Sequence, residues 1–480
     1  MERCLYDPAT GYYGSGVVQL SKEPHFWTYS QWLSPVFGWA LAERVRGILE
    51  DWSDRGLLDK GQQITILELG GGDGCLGRDV VDYIVTKASD ATWNRFSNRF
   101  EYVIGELSPA LRARQQRHLK KHIDTGLVRI LDCDARELRW NGTFKGVVIC
   151  NELIDAFPVE KLRITSPGEI ARVHVERIDS KQPAFAEELV PLSGGWWIER
   201  GGLVGPPTRL AEYLGTLEPL IADLEACGLL PADLHWPPGM AGFVESLGKL
   251  PAAPGNVGTA LILDYGGTSR HVLDPQTLSS HLRVYGSDRE LAHSNGVYQD
   301  PGHRDMTADV DFTEIARLAR EHGLEVSSYT HQSALEDKKT PLDEGGNLEA
   351  LADRLSREVG YAQGVARLVA QHVVKRFRRS PCYWLMELAN PKHECGNQRQ
   401  KGELQPDAMA LQSLANSVEP KRLRQALVEE DLPGEIADRL KPCGDITADL
   451  SDAGVLGHLG AVVGLLEKHG WLRAPGAVNA

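Results

Sequence analysis

Ile64-Thr65-Ile66-Leu67-Glu68-Leu69-Gly70-Gly71-Gly72-Asp73-Gly74 is the stretch that decides the fold of this chain. Its first six residues read as a buried β-strand, and the glycines at 70, 72 and 74 stand where that strand turns into a helix. Glycine adopts backbone conformations closed to other residues and lets a ligand approach the main chain. The spacing is Gly-x-Gly-x-Gly with an acid two residues ahead, not the Gly-x-Gly-x-x-Gly of dinucleotide sites. A pyrophosphate would favour open helix amides, whereas Glu68 and Asp73 put negative charge beside it. That charge suits a cationic ligand, such as a sulfonium that also carries an amino group. The bland alternative is a glycine turn that only fits strand to helix.

Outward from this turn, Ile64 to Cys150 alternates strand-like and helix-like runs, the pattern of parallel β/α units. Strands are expected at Ile64–Leu69, Tyr102–Glu106, Leu127–Leu131 and Gly146–Cys150, with helices starting near Gly74, Ser108 and, weakly, Ala135. Right-handed crossovers bring the ends of these strands to one crevice. Ahead of them, three- and four-residue apolar spacing predicts a helix over Pro35–Trp52. Beyond them, the alternation stops over residues 163–258, which read as a cap insertion over the crevice. It resumes with strands at Thr259–Tyr265, Leu324–Tyr329 and Cys382–Leu388 and helices over Phe312–His322 and Leu348–Val359. The expected fold is therefore α/β, about seven mostly parallel strands with helices on both faces. Residues 1–38 form a lid-like segment, 39–162 and 259–390 the two parts of the core, 163–258 the cap, 391–405 a linker and 406–480 a helical C-terminal extension.

The whole-chain charge of −14 opposes a phosphate backbone, so nucleic acid is not an expected partner. No apolar run approaches the roughly 20 residues that cross a bilayer, and no membrane partner is expected. The eight cysteines lack the close pairing of zinc or disulfide frameworks, and no metal-ligand cluster is evident, so no metal is expected. Met1–Pro8 carries neither a secretory nor a transit pattern, and the expected location is a bacterial cytoplasm, with a mitochondrial matrix as the alternative.

Candidate chemistry sits at the strand ends. Glu106, 36 residues after Gly70, ends the second strand where a carboxylate can accept both ribose hydroxyls of a nucleoside, with Leu107 beside it. Taken alone, such an acid is a solvated or capping residue. Together, Glu68, Gly70, Gly72, Gly74 and Glu106 indicate S-adenosyl-L-methionine as the cofactor. Asp134 and Ala135 stand where they would frame an adenine, or where Asp134 caps the next helix. Asn151, Glu152 and Asp155 follow the fourth strand, where acids grip a cationic acceptor or remove its proton, or where they serve as turn residues. Cys150 reads as a core residue. Asp264 and Tyr265 end the fifth strand facing the same crevice, or simply close it; Asp305 is placed to line the acceptor site, and Asp311 reads as a helix cap.

These residues resemble the MidA-like methyltransferase family, whose mitochondrial members are arginine methyltransferases that assist respiratory complex I assembly. The resemblance runs from about Leu5 to Leu388. It is carried by Leu5-Tyr6-Asp7-Pro8-Ala9-Thr10-Gly11-Tyr12-Tyr13, Ser34-Pro35-Val36-Phe37-Gly38, the Glu68–Gly74 turn, and Glu106-Leu107-Ser108-Pro109 with Leu111, Arg112 and Gln115. Asn151 to Val159, Asp264-Tyr265-Gly266 and Pro301 to Phe312 complete it. It implies a Rossmann-like class I methyltransferase fold and methyl transfer to a protein side chain. The chain departs from the family pattern at Pro24-His25-Phe26-Trp27-Thr28, where an acid is usual, at Ser280-His281-Leu282, and at Asp309, where a histidine is usual.

The mechanism expected is in-line displacement at the sulfonium methyl by a protein or peptide side chain, an arginine guanidinium favoured, oriented by Glu152 and Asp155. A second reading is O-methylation of a hydroxyl or carboxyl on a small molecule or modified peptide, with His25 or His281 as base and His25 at the substrate. A third is a non-catalytic assembly factor that retains cofactor binding, and nicotinamide-dependent oxidoreduction remains at the level of fold alone.

Overall fold

A computed structural model describes residues 1–18, 28–178, 185–192, 207–273, 281–286, 291–292, 297–336, 341–342, 344–359, 362–379 and 383–391. His25, nearly all of the 391–405 linker and the 406–480 extension lie outside the described residues.

The core strands are β1 (Ile64–Leu69), β2 (Phe100–Glu106), β3 (Val128–Asp132) and β4 (Lys145–Asn151). Four strands of a smaller sheet follow: β5 (Glu160–Ser166), β6 (Glu169–Arg177), β7 (Phe185–Pro191) and β8 (Ala232–Trp236). The chain returns to the core with β9 (Val257–Gly267), passes through β10 (Leu282–Tyr285), β11 (Leu291–Ala292) and β12 (Asp305–Ala308), and ends with β13 (Val310–Asp311), β14 (Glu325–His331) and β15 (Tyr383–Ala389). The main sheet has the order β14-β15-β9-β4-β1-β2-β3, with β13 added beside β9. Its strands run parallel except β15, which is antiparallel to both neighbours. All seven expected strands are present.

Every residue of β1 is buried, because helices cover both faces of the sheet and leave no polar side to alternate with. One face carries the helices Val36–Asp54, Cys75–Thr86, Gly345–Arg354 and Gln363–Arg379. Val36, Phe37, Leu41, Val45, Ile48, Leu49 and Trp52 form the apolar stripe of the first, at the expected spacing. The helices Gly239–Ala252 and Phe312–Glu321 cover the other face through Phe243, Leu247, Ile315 and Leu318. Cys4, Cys75, Cys133, Cys150 and Cys227 are free thiols, and no described helix is long and apolar enough to cross a membrane.

Where the sequence showed only a break in rhythm, the structure has an antiparallel sheet in the order β7-β6-β5-β8. Leu162, Ile164, Ala232, Leu234 and Trp236 pack under the helix Pro207–Ala226. Lys161, Arg163, Glu187 and Asp233 pair on the sheet. The N-terminal segment is likewise more ordered than the lid-like reading implied. Leu5, Tyr12 and Val18 are buried against Val284 and Met306.

Candidate active site

The ends of β1, β2, β3 and β4 and residues of β9 and β12 enclose a cavity of about 1200 Å³, its mouth included. Its wall includes Glu68, Gly70, Gly72, Glu106, Leu107, Asp134, Ala135, Asn151, Glu152, Asp155, Tyr265 and Asp305. Two further expected residues stand behind that wall. Gly74 caps the helix Cys75–Thr86 in the left-handed region at φ 86°, and Asp264 is fully buried beneath the loop after β4. His281 faces Asp309 and is not among the lining residues.

At the cofactor end, Gly70 has φ 74°, and a side chain there would meet Leu153 Cδ1 at 2.7 Å. Its left-handed conformation disfavours any other residue, and a side chain there would have to displace the Leu153 methyl. The Tyr102 hydroxyl donates to Glu68 Oε2 at 2.9 Å. Glu106 Oε1 accepts from the Ser108 amide at 2.9 Å, and its Oε2 accepts from Gln115 Nε2 at 3.3 Å. Gln115 Nε2 also donates to the Gly72 carbonyl at 2.9 Å, tying the glycine turn to the acid. Burial pushes the carboxyls of Glu68 and Glu106 each up to about 7. Asp134 accepts from the Arg136 amide as the cap of a short 3-10 turn, and it also faces the cavity.

At the other end, Asp264 organises the loop after β4. Its Oδ2 accepts from the amides of Leu153, Ile154 and Asp155 at 3.2, 2.9 and 3.4 Å, and its Oδ1 from the Tyr265 amide at 2.9 Å. Glu152 sits at φ 49°, a left-handed conformation uncommon outside glycine and held here by its surroundings. Its carboxylate accepts from the Tyr29 amide and the Tyr265 hydroxyl, each at 3.2 Å. Burial raises Glu152 to about 8 and Asp305 to about 7. Asp155 is raised well above the carboxylate range by burial and then by the nearby Asp264.

Several wall residues were not singled out from sequence as site residues. The Tyr13 hydroxyl donates to Asp305 Oδ1 at 2.8 Å, the Tyr6 hydroxyl donates to the Ala156 carbonyl at 2.8 Å, and the two rings stack 5.9 Å apart. The aromatic motif at residues 5–13 was the available signal. Thr307 lies within the motif from Pro301 to Phe312, while Tyr285 carried no signal.

Asn151 Oδ1, Asp155 Oδ1 and Thr307 Oγ1 are buried without a hydrogen-bond partner among the described residues. Nor does Glu68, Glu106, Glu152, Asp155, Asp264 or Asp305 form an ion pair among them, so six buried carboxyls gather in and behind this wall without an ion-pair partner. A bound cation would favour their ionised forms.

A family model described as "Putative S-adenosyl-L-methionine-dependent methyltransferase" matches residues 46–330, more than half of the chain. The chain belongs to that family. It is an S-adenosyl-L-methionine-dependent methyltransferase of the MidA-like kind, and the matched residues contain the glycine turn, Glu106, the loop after β4 and Asp305. The methyltransferase resembles a COG1565 superfamily member from Burkholderia thailandensis bound to S-adenosyl-homocysteine, with 22% identity and a TM-score of 0.55 over 81% of this chain and 86% of that one. A second crystal structure of a COG1565 superfamily protein from the same organism matches at 21% identity and a TM-score of 0.53, over 81% and 85% of the two chains. At that identity the likeness establishes the fold, a Rossmann-like class I α/β domain. No curated protein matches the chain.

The cofactor end fits S-adenosyl-L-methionine on the chemistry of its donors. Glu106 presents a carboxylate to ribose hydroxyls, the side-chain-free turn at Gly70 admits close approach, and Glu68 adds charge that favours a sulfonium and an amine over a pyrophosphate.

Proposed function

We propose that this methyltransferase acts on a side chain of a protein or peptide, with an arginine guanidinium as the favoured acceptor. One observation carries the reading: three unpartnered buried oxygens, of Asn151, Asp155 and Thr307, share one cavity with the carboxyls of Glu152 and Asp305. A guanidinium offers five N–H donors in a planar fork, and it matches an oxygen-rich wall better than a hydroxyl or a carboxyl does.

When bound, S-adenosyl-L-methionine supplies an electrophilic methyl group on a positively charged sulfur. Glu106 holds the sugar, and Asp134 with Ala135 borders the base. Glu152 and Asp155 orient the acceptor nitrogen and exclude competing geometries. The acceptor nitrogen would give up a proton on receiving the methyl group, and the adjacent carboxylate of Glu152 or Asp155 would take it up. Burial holds the carboxyls of Glu152 and Asp155 above their ordinary range, so in the ionised form each is a stronger base than a solvated carboxylate and retains a proton it takes up. His281, the base considered for O-methylation, is turned toward Asp309 and away from this wall. By the same reasoning the partner is a polypeptide.

Incubation with deuteromethyl S-adenosyl-L-methionine and cell lysate, followed by peptide mass spectrometry, tests the proposal. Labelled methylarginine in protein is the expected product. Label confined to metabolites, or to hydroxyl and carboxyl esters, would overturn it.

A further inference from the structure

Behind the acceptor wall, three side chains that the methyl transfer does not use converge from separate stretches of the chain. His271 lies on the short helix Ser269–Val272 after β9, His281 immediately precedes β10, and Asp309 follows β12. Asp309 Oδ2 is 2.7 Å from His281 Nδ1 and 3.2 Å from His271 Nε2. One nitrogen of each ring and one carboxylate oxygen all lie within 4.8 Å of one another. The side chains are only 3%, 3% and 6% exposed. None of the three lines the cavity.

We propose that His271, His281 and Asp309 form a binding site for a divalent transition-metal ion of the zinc class. Two imidazoles and a carboxylate are the N, N, O donor set that zinc takes, and tetrahedral ligation at ~2.0–2.1 Å places ligand atoms about 3.3 Å apart. The 3.2 Å pair already has that spacing. The 2.7 Å pair must open by roughly half an ångström to reach it, a small turn of one imidazole.

The surroundings support the same assignment. Arg283 Nη2 lies 2.6 Å from Asp309 Oδ1, which leaves Oδ2 to the imidazoles; ligating carboxylates are commonly oriented by such an outer partner. The Asp309 amide donates to the His281 carbonyl at 3.0 Å, so the backbone fixes this pair. His281 and Asp309 are also two of the positions at which the chain departs from the motifs it resembles, and the departures meet at one oxygen.

An ion here would clip the segments 269–272, 281–285 and 305–311 behind the acceptor wall. Arg283 stacks over the Tyr265 ring at 5.3 Å, and Tyr265 bonds Glu152, so the clip reaches the cavity through one aromatic residue.

Cobalt(II) titration of the full chain tests the proposal without reference to methyl transfer. One equivalent should bind and develop visible d–d bands of tetrahedral intensity, and zinc should displace it. Zinc should also raise the Tm by mass action. His281→Ala and His271→Gln should each weaken cobalt binding by at least about 100-fold. A parent protein that retains no stoichiometric metal after dialysis and shows only the spectrum of aqueous cobalt would overturn the proposal and leave the cluster as a hydrogen-bonded charge network. Unchanged affinity in His271→Gln would overturn it equally. If His281→Ala does not fold, the spectrum of the parent and the His271→Gln variant still decide the matter.

Discussion

The two ends of the cavity treat some of their buried oxygens differently. At the cofactor end, Glu68 and Glu106 have protein donors already in place from Tyr102, Ser108 and Gln115. At the acceptor end, Asn151, Asp155 and Thr307 each keep a buried oxygen with no donor among the described residues. Satisfied acids are preorganised and wait for one ligand of fixed shape. Unsatisfied ones leave a desolvation cost standing until a donor arrives, so occupation by a donor-rich group is favoured there. The contrast teaches that cofactor binding is rigid in this protein while acceptor binding is where free energy remains to be gained.

The comparison predicts that the two ends fail independently. Glu106→Ala should weaken S-adenosyl-L-methionine binding by at least about 100-fold, since charge-assisted hydrogen bonds to two hydroxyls are each worth about 1.5–3 kcal/mol. Calorimetry measures it, and unchanged affinity would remove Glu106 from the ribose. Asp155→Asn should leave that affinity within about threefold of the parent while lowering kcat by roughly 10- to 100-fold, through loss of an acceptor for the substrate's protons. A variant that lost both in parallel would show that the ends are one unit.

How much of this was readable in the one-dimensional chain follows from range. The strand Ile64–Leu69 with its glycine turn is a local signal: a doubly covered strand is continuously apolar, and the ligand loop follows it directly. Glu106 was legible for the same reason, as the acid that ends the next strand. Asp264 was legible as a strand-end acid facing the crevice. Its task of holding the Leu153, Ile154 and Asp155 amides was not, because those partners are about 110 residues away. Tyr13 and Asp305, 292 residues apart, meet only once the fold brings the N-terminal segment across the cavity. The small sheet was missed because charged residues interrupt its apolar runs. Lys161 and Arg163 pair across strands with Glu187 and Asp233, and in sequence they look merely polar.

Proton linkage sharpens the same contrast at a smaller scale. Glu68 and Glu106 rise from 4.5 to about 7 on burial, so between those values the folded protein holds protons that the unfolded chain has released. The ligand-free protein therefore loses stability as pH rises through that window, because the native state is then the one binding more protons. A cationic ligand has the opposite dependence, since it requires the ionised carboxylates. Affinity for S-adenosyl-L-methionine should fall by roughly tenfold from about pH 7.5 to 6, and the gain in Tm on adding it should shrink in parallel. Glu106→Gln should flatten this profile; a profile as steep as the parent's would assign the proton elsewhere.

The smallest effect expected is at Tyr265, where the acceptor end is most heavily braced. Its hydroxyl donates to Glu152 at 3.2 Å, and the Tyr29 amide donates to the same carboxylate. With the amide left in place, Tyr265→Phe removes one of these two bonds and leaves the ring on which Arg283 stacks. Loss of a single neutral donor corresponds to about 0.5–1.5 kcal/mol, so kcat should drop by only about 3- to 10-fold. Because Glu152 then holds its charge with fewer donors, its carboxyl should rise further above about 8. The alkaline shift of the acid limb of the kcat profile reports that rise. A rate loss without the shift would mean that the hydroxyl acts on the acceptor directly, and an unchanged cofactor affinity in either case would keep the two ends of the cavity separate.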